Sequence, residues 1–220
     1  RGEIVEKLRG LYRSVKDDER YAATQFEAAD ARRAFPCFDE PDKKARFALR
    51  VTTPTRNQVV SNGAIAGVST RGRNKTVRFA ETPKLSTYLI ALVVGELESS
   101  RAVRVGSTPI RVWCVPGKKK LAGFALEVAA EALRRLEDFF GLPYPYGKLD
   151  LLAVPDFEFG AMETAGAVTF RETLLLVDPK TVTLAEKKRV AEVIAHELAH
   201  MWYGDLVTMA WWDDLWLNEA

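Results

Sequence analysis

The residues best suited to chemistry lie near the C-terminal end of the chain, where two histidines stand four residues apart. His196 and His200 are the only histidines in the sequence, and they enclose the segment HELAH. On a helix, residues four apart project from the same face, one turn from each other. Glu219 follows nineteen residues after His200. Two imidazoles and one carboxylate in this arrangement predict a site for one Zn²⁺ ion, with a fourth position open to water.

Glu197 supplies the second part of this chemistry. A zinc ion with three protein ligands lowers the pKa of a bound water towards about 7, so hydroxide becomes available near neutral pH. Glu197 directly follows the first histidine and points slightly around the helix, which lets it act as general base without taking a coordination position. The predicted reaction is metal-assisted hydrolysis, with an amide as the favoured substrate. A pattern with three fixed letters also occurs in proteins that bind no metal, but here both histidines fall in it.

The composition argues against a nucleic-acid-binding, a membrane-spanning and a disulfide-rich protein. The 220 residues are 47% hydrophobic and 28% charged, with a net charge of +2, which is typical of an ordinary globular protein and predicts no nucleic-acid partner. The longest apolar run, Leu89 to Val94, is far shorter than the roughly 20 residues of a membrane helix. Cys37 and Cys114 form no disulfide framework, although one bridge stays open. Sparse cysteines favour a cytoplasmic location.

The first half of the chain has the pattern of β-structure. Alternating apolar residues predict strands at Phe47 to Val51, Val77 to Phe79 and Ile110 to Val112, and a continuous apolar run predicts one at Thr87 to Val94. The pair Asn62-Gly63 is the strongest short-range signal of a hairpin turn. Short strands at this spacing indicate an antiparallel sheet or sandwich.

After Pro116 the pattern changes to helices mixed with strands. Apolar residues at helical spacing predict a helix from Leu121 to Phe139, which Gly141 ends. Strands are predicted at Leu149 to Val154, Ala167 to Phe170 and Leu174 to Val177. Thr183 and Glu186 form the capping box of a second helix, which carries the histidines. We therefore predict an α+β fold with domains at 1–113 and 114–220.

Three motifs, in order along the chain, resemble the M1 aminopeptidase family. HELAH followed by Glu219 in WLNEA is similar to the gluzincin zinc site, and GAMET at Gly160 to Thr164 is similar to the family's GAMEN exopeptidase motif. The segment TQFEAADARRAFPCFDEP, from Thr24 to Pro41, resembles a part of the family's N-terminal β-domain that reaches the active site. The resemblance implies an antiparallel β-rich N-terminal domain followed by the first half of a thermolysin-like α/β zinc-peptidase domain.

The resemblance also implies a role for each matching residue. His196, His200 and Glu219 match the zinc ligands, and Glu197 matches the general base. Glu27 and Glu163 match acids that bind the free α-amine of a peptide, one residue's length from the zinc. The backbone of Gly160, Ala161 and Met162 matches a stretch that pairs with the extended substrate as an added strand. Together these roles imply a zinc aminopeptidase that acts on peptides with a free N-terminus.

Two departures from the family pattern affect this interpretation. Thr164 stands where the family motif has Asn, which implies weaker positioning of the amine rather than its loss. The sequence ends at Ala220, so the resemblance implies a fragment that needs the remaining parts of a parent enzyme, among them a Tyr that stabilises the oxyanion. Two alternatives stay open: a related gluzincin hydrolase with a non-peptide substrate, and a catalytically incomplete peptide-binding fragment.

Overall fold

The fold of residues 3, 4 and 6–219 is described by a computed structural model. The first part of the chain forms two antiparallel sheets. One is four-stranded in the order β1-β2-β7-β4, and the other is three-stranded in the order β3-β6-β5. The strands are β1 (Gly10–Lys16), β2 (Glu19–Gln25), β3 (Arg50–Pro54), β4 (Gln58–Ser61), β5 (Ile65–Arg71), β6 (Asn74–Phe79) and β7 (Leu92–Gly95).

The second part is a mixed sheet covered by two helices. Its order is β12-β13-β11-β10-β8, with β9 beside β10, and β10, β11 and β13 run parallel. Its elements are β8 (Glu98–Ser99), β9 (Val103–Val105), β10 (Thr108–Cys114), α1 (Gly123–Phe140), β11 (Leu149–Val154), β12 (Ala161–Met162), β13 (Ala167–Arg171), α2 (Leu184–Ala199) and α3 (Trp216–Glu219). The predicted α+β class, with antiparallel sheets before a helix-containing sheet, is confirmed.

Helices α1 and α2 bury their apolar faces on this sheet. The core beneath them contains Leu133 of α1, Val168 of β13, and Ile194 and Leu198 of α2. Gly141 ends α1 in the left-handed conformation at φ 64°, as its position in the sequence predicts. The sheet also includes β8, β9 and β10, the last of which ends at Cys114. The division into 1–113 and 114–220 stays a prediction. Residues 1, 2 and 220, at the ends of those ranges, lie outside the described part.

A second core joins the two parts of the chain. Tyr12, Phe26 and Tyr88 from the β-rich first part of the chain pack with Leu152 and Met162 from the mixed sheet. Because this core is continuous, the β-rich part fixes the position of the loops at the edge of the mixed sheet. No helix in the described ranges is long and apolar enough to cross a bilayer.

Three local predictions are wrong. The pair Asn62-Gly63 forms no hairpin, because β4 and β5 belong to different sheets. Thr87–Leu89 is a 3₁₀ turn buried between the two parts, so the strand begins only at Leu92. Glu172–Leu174 is likewise a 3₁₀ turn, and Leu175 to Val177 continue as buried irregular chain. In each segment tertiary packing overrides local propensity. Cys37 and Cys114 are both free thiols, so the open bridge does not form, and the compartment stays a prediction.

The capping box of α2 generates a first prediction. Glu186 N donates to Thr183 Oγ1 at 3.2 Å, and Thr183 N donates to Glu186 Oε2 at 2.7 Å. Thr183→Ala removes the cap and destabilises the first turn by about 1 kcal/mol. Amide hydrogen exchange over residues 184–190 is therefore expected to quicken about fivefold. Thr181→Ala, an exposed threonine two residues earlier, is the control and leaves the exchange unchanged. Equal rates in both variants would contradict the cap's role.

Candidate metal centre

His196 and His200 lie next to each other at the C-terminal end of helix α2. Its core face, formed by Ile194 and Leu198, is fully buried and fixes the rotation of the helix. The helix ends at Ala199, and His200 is its C-terminal cap residue with αR backbone angles. Gly204 then turns the chain back past the His200 ring at φ 127°. A Cβ at Gly204 would lie 3.1 Å from His200 Nδ1, so the turn requires glycine.

The three predicted metal ligands come together as a compact donor set. His196 Nε2 lies 3.0 Å from His200 Nε2, and Glu219 brings one oxygen within 3.3 Å of the first nitrogen and the other within 3.5 Å of the second. Ligand atoms about 2.0–2.1 Å from a tetrahedral zinc stand about 3.3 Å apart. The observed separations bracket that value. The donor set therefore fits a Zn²⁺ site with two imidazoles and one carboxylate.

The hydrogen bonds of the donor set favour a cation between its members. His200 Nδ1 donates to the carbonyl oxygen of Tyr203 at 3.0 Å, which leaves the Nε2 lone pair of the neutral ring facing His196. Two nitrogen lone pairs at this distance repel unless a positive ion lies between them.

Glu197 lies beside the donor set without belonging to it. The donor set consists of atoms of His196, His200 and Glu219, and Glu197 belongs to no cluster of possible metal ligands within the described ranges. The Glu197 side chain is only 5% exposed. Burial, and then the charge of Glu163, raise the pKa of Glu197 well above its usual value. A buried carboxylate with a raised pKa is suited to accept and return a proton.

Glu27 and Glu163 form a second acidic group that shares Glu219 with the first. One oxygen from each of these three carboxylates lies within 4.8 Å of the others. Burial, and then the charges of Glu163 and Glu219, raise the pKa of Glu27 to about 8, and burial also raises that of Glu163. Glu163 is 4% exposed, and its Oε1 has no hydrogen-bond partner among the described residues. Such crowding of buried carboxylates favours the binding of a cationic group.

Neither acid is a surface residue paired with a neighbouring arginine. Glu163 is buried. The two arginines that follow Glu27 in the sequence bind other acids: Arg32 bonds to Asp39 and Arg33 to Asp30. Neither of these arginines therefore neutralises Glu27.

Gly160, Ala161 and Met162 lie at the free margin of the mixed sheet. Ala161–Met162 is strand β12, which pairs with β13 on one side and is the edge of the six-stranded sheet within the described chain. Gly160 extends this pairing, since its carbonyl accepts the Arg171 N–H at 2.9 Å. An edge strand leaves backbone donors and acceptors that can pair with an extended peptide. Glu163 comes directly after this edge.

Thr164, which stands where the family motif has Asn, is hydrogen-bonded within its own turn. Its side chain is 1% exposed, and its hydroxyl donates to the Ala167 carbonyl at 2.6 Å, which closes the turn after Glu163. The hydroxyl thus serves the turn itself. The weaker positioning of the amine that the sequence implies stays a prediction.

Sequence reasoning missed two buried polar residues near these groups. Gln25 Nε2 donates to the Met162 sulfur at 3.3 Å, and its Oε1 has no partner within the described chain. Gln25 is the last residue of β2 and Glu27 lies in the turn that follows, so strand alternation does not relate the two positions. Asp205 is fully buried, and its N–H donates to the His200 carbonyl at 2.9 Å. No pattern in the sequence marks Asp205 out.

Comparison with known proteins gives consistent matches along the chain. Residues 1–89 match the peptidase M1 N-terminal domain, and residues 124–220 match the peptidase family M1 domain. The chain is 47% identical over 224 residues to aminopeptidase M1-A of Oryza sativa subsp. japonica, and 46% identical over 226 residues to the puromycin-sensitive aminopeptidase of Caenorhabditis elegans. Both matches cover 100% of this chain, but only 26% and 24% of the two relatives. The chain thus spans about a quarter of their length.

The donor geometry predicts the effect of removing one ligand. His200→Ala leaves one imidazole and one carboxylate, and we expect the zinc content to fall from about one ion per chain to well below one. Metal analysis after gel filtration measures this. Glu192→Gln is the matched control, because Glu192 is an exposed acid of the same helix that pairs with Arg189 at 3.1 Å. Full zinc content in His200→Ala would contradict the assignment.

Proposed function

Because the chain belongs to peptidase family M1, we propose that it carries the metal-binding and amine-binding portion of a zinc-dependent aminopeptidase. The substrates are peptides with a free N-terminus, and the reaction is hydrolysis of the first peptide bond. The observation that carries this proposal is the shared position of Glu219, which belongs both to the donor set and to the acidic group of Glu27 and Glu163. The site for a cationic amine thus directly adjoins the site for the metal.

The metal ligands proposed are His196, His200 and Glu219. When bound, one Zn²⁺ ion supplies a Lewis acid that activates water and polarises a carbonyl. Around it, His200 is oriented by its hydrogen bond to Tyr203, and its ring is almost fully buried, which keeps bulk water from competing. The His196 ring is about half exposed, so the site opens to solvent on that side.

Glu197 is the proposed general base. As a buried carboxylate beside the donor set, it takes a proton from the attacking water and delivers the proton to the leaving nitrogen. The raised pKa supports both steps, because a stronger base accepts the first proton readily and holds it until the leaving nitrogen takes it. It does not need to act as a ligand for either step.

Glu27 and Glu163 are the proposed amine-binding residues. Burial raises the pKa of both acids, and the neighbouring carboxylates add to this effect, so a protonated α-amine placed between them supplies the positive charge that stabilises their ionised forms. The edge strand Ala161–Met162 then pairs with the substrate backbone, so that the peptide is held in an extended conformation. Since the amine is bound so close to the metal, only the first peptide bond of a chain can reach the reacting position.

Glu197→Gln tests the general base. The substitution keeps the size of the side chain and removes its basicity, so hydrolysis of leucyl-anilide by the whole protein should fall by about 10²–10⁴-fold. Zinc content should stay unchanged, because Glu197 is not a ligand. Glu192→Gln serves again as the control on the same helix. Undiminished turnover with zinc present would rule out this role.

Glu163→Gln tests the amine site. Loss of one charged partner weakens binding of the α-ammonium, so KM for leucyl-anilide should rise by about tenfold or more. Zinc content should again stay unchanged. The control is Glu158→Gln, an exposed acid five residues earlier whose oxygen lies 3.8 Å from Arg9 Nε. A wild-type protein that hydrolyses N-acetylated and free-amine substrates equally well would refute the aminopeptidase proposal itself.

A further inference from the structure

Asn62 is a buried side chain that hydrogen-bonds to three separate backbone groups. It follows strand β4 directly and is 4% exposed. Its Nδ2 donates to the carbonyl oxygens of Leu89 and Ala165, both at 2.8 Å, and its Oδ1 accepts the Ala91 N–H at 2.9 Å. Every donor and acceptor of the amide except the second lone pair is therefore used. A side chain that stabilised only its own turn would not bond to backbone groups this distant in the sequence.

One of these contacts fixes the turn that carries Glu163. Ala165 comes two residues after Glu163, in the turn that the Thr164 hydroxyl closes. The backbone of Asn62 also lies against this turn, since a Cβ on Gly166 would stand 3.0 Å from the Asn62 carbonyl oxygen. The turn is thus held against the β-rich part of the chain by hydrogen bonding and by close packing.

The other two contacts lead to strand β2, which ends at Gln25, two residues before Glu27. The segment from Leu89 to Ala91, which Asn62 holds, is bound from the other side by Thr24. Thr24 Oγ1 donates to the Ile90 carbonyl at 3.3 Å and accepts the Leu92 N–H at 2.9 Å. Thr24 lies three residues before Glu27 on the same continuous segment. A short path of buried hydrogen bonds therefore runs from the Glu27 segment through Asn62 to the Glu163 turn.

We propose that Asn62 is a positioning residue that sets the spacing between Glu27 and Glu163, and thereby the affinity of the site for a free α-amine. This inference rests on the proposed aminopeptidase function. The two acids come from different parts of the chain, so their separation depends on contacts between those parts. The Asn62 amide is such a contact, and it is rigid because both of its N–H groups are bound to backbone carbonyls.

The test compares two inhibitors that differ only in the α-amine. Leucine hydroxamate and its des-amino analogue, 4-methylpentanohydroxamate, both bind zinc through the hydroxamate, so the ratio of their inhibition constants isolates the contribution of the amine. In Asn62→Ala this ratio should fall by about tenfold or more, since small displacements of charged groups sharply weaken oriented contacts. Zinc content and the affinity for the des-amino inhibitor should stay near the wild-type values.

Two further variants separate positioning from stability. Asn57→Ala is the matched control, because Asn57 is another asparagine next to β4, and its Nδ2 donates to Thr53 Oγ1 at 2.8 Å, away from residues 89–91 and from the Glu163 turn. It should keep the wild-type inhibitor ratio. Thr24→Val breaks the same path from the Glu27 side with little change in shape, and it should lower the ratio in the same direction. It also serves if Asn62→Ala does not fold.

The outcomes are distinct. A lower ratio in Asn62→Ala or Thr24→Val, with Asn57→Ala unchanged, supports the positioning role. A wild-type ratio in the folded Asn62 and Thr24 variants, or an equal loss of affinity for both inhibitors, overturns it while leaving the proposed function intact. If the wild-type protein binds both inhibitors equally, there is no amine site, and the proposed function fails together with this inference.

Discussion

The concentration of negative charge around Glu219 is the constraint on which the site depends. Glu219 faces two imidazoles on one side and two further carboxylates on the other. Buried like charges repel strongly where little water screens them, and each carboxylate loses solvation as well. Cations that bind here, or protons taken up by the acids, relieve this repulsion. The cations that we propose are a metal ion between the imidazoles and an ammonium group between Glu27 and Glu163.

The fold holds these charges in place by distributing them over separate rigid elements. The histidines come from a helix packed on the mixed sheet, and Glu163 follows the edge strand of that sheet. Glu27 lies in the turn two residues after β2, a strand of the antiparallel sheet in the first part of the chain. A continuous apolar core between the two parts prevents the acids from moving apart to relieve their repulsion. The energy of packing thus offsets the cost of the charged site.

The contact between the two parts also explains several local features. Tyr88 lies in the buried 3₁₀ turn and packs edge-to-face on Trp212, with ring centroids 5.1 Å apart. Its hydroxyl donates to the Gly204 carbonyl at 3.4 Å, and Asn218, the residue before Glu219, is hydrogen-bonded to it at 3.5 Å. The segment that bears the third proposed ligand therefore rests on a side chain from the β-rich part. Neither part alone contains a complete acidic group.

The sequence by itself determined the elements whose signals are local. The spacing of His196 and His200, the capping box at Thr183 and the left-handed glycine after α1 depend on residues within one or two helical turns, so they were predicted correctly. The family was also evident, because its motifs are short and contiguous. Only the tertiary structure determined the contacts of Asn62 and the conformations of Thr87–Leu89 and of residues 174–177. Their partners lie far away in the chain. Local propensity cannot predict such contacts, because the energy that selects them comes from burial against distant residues.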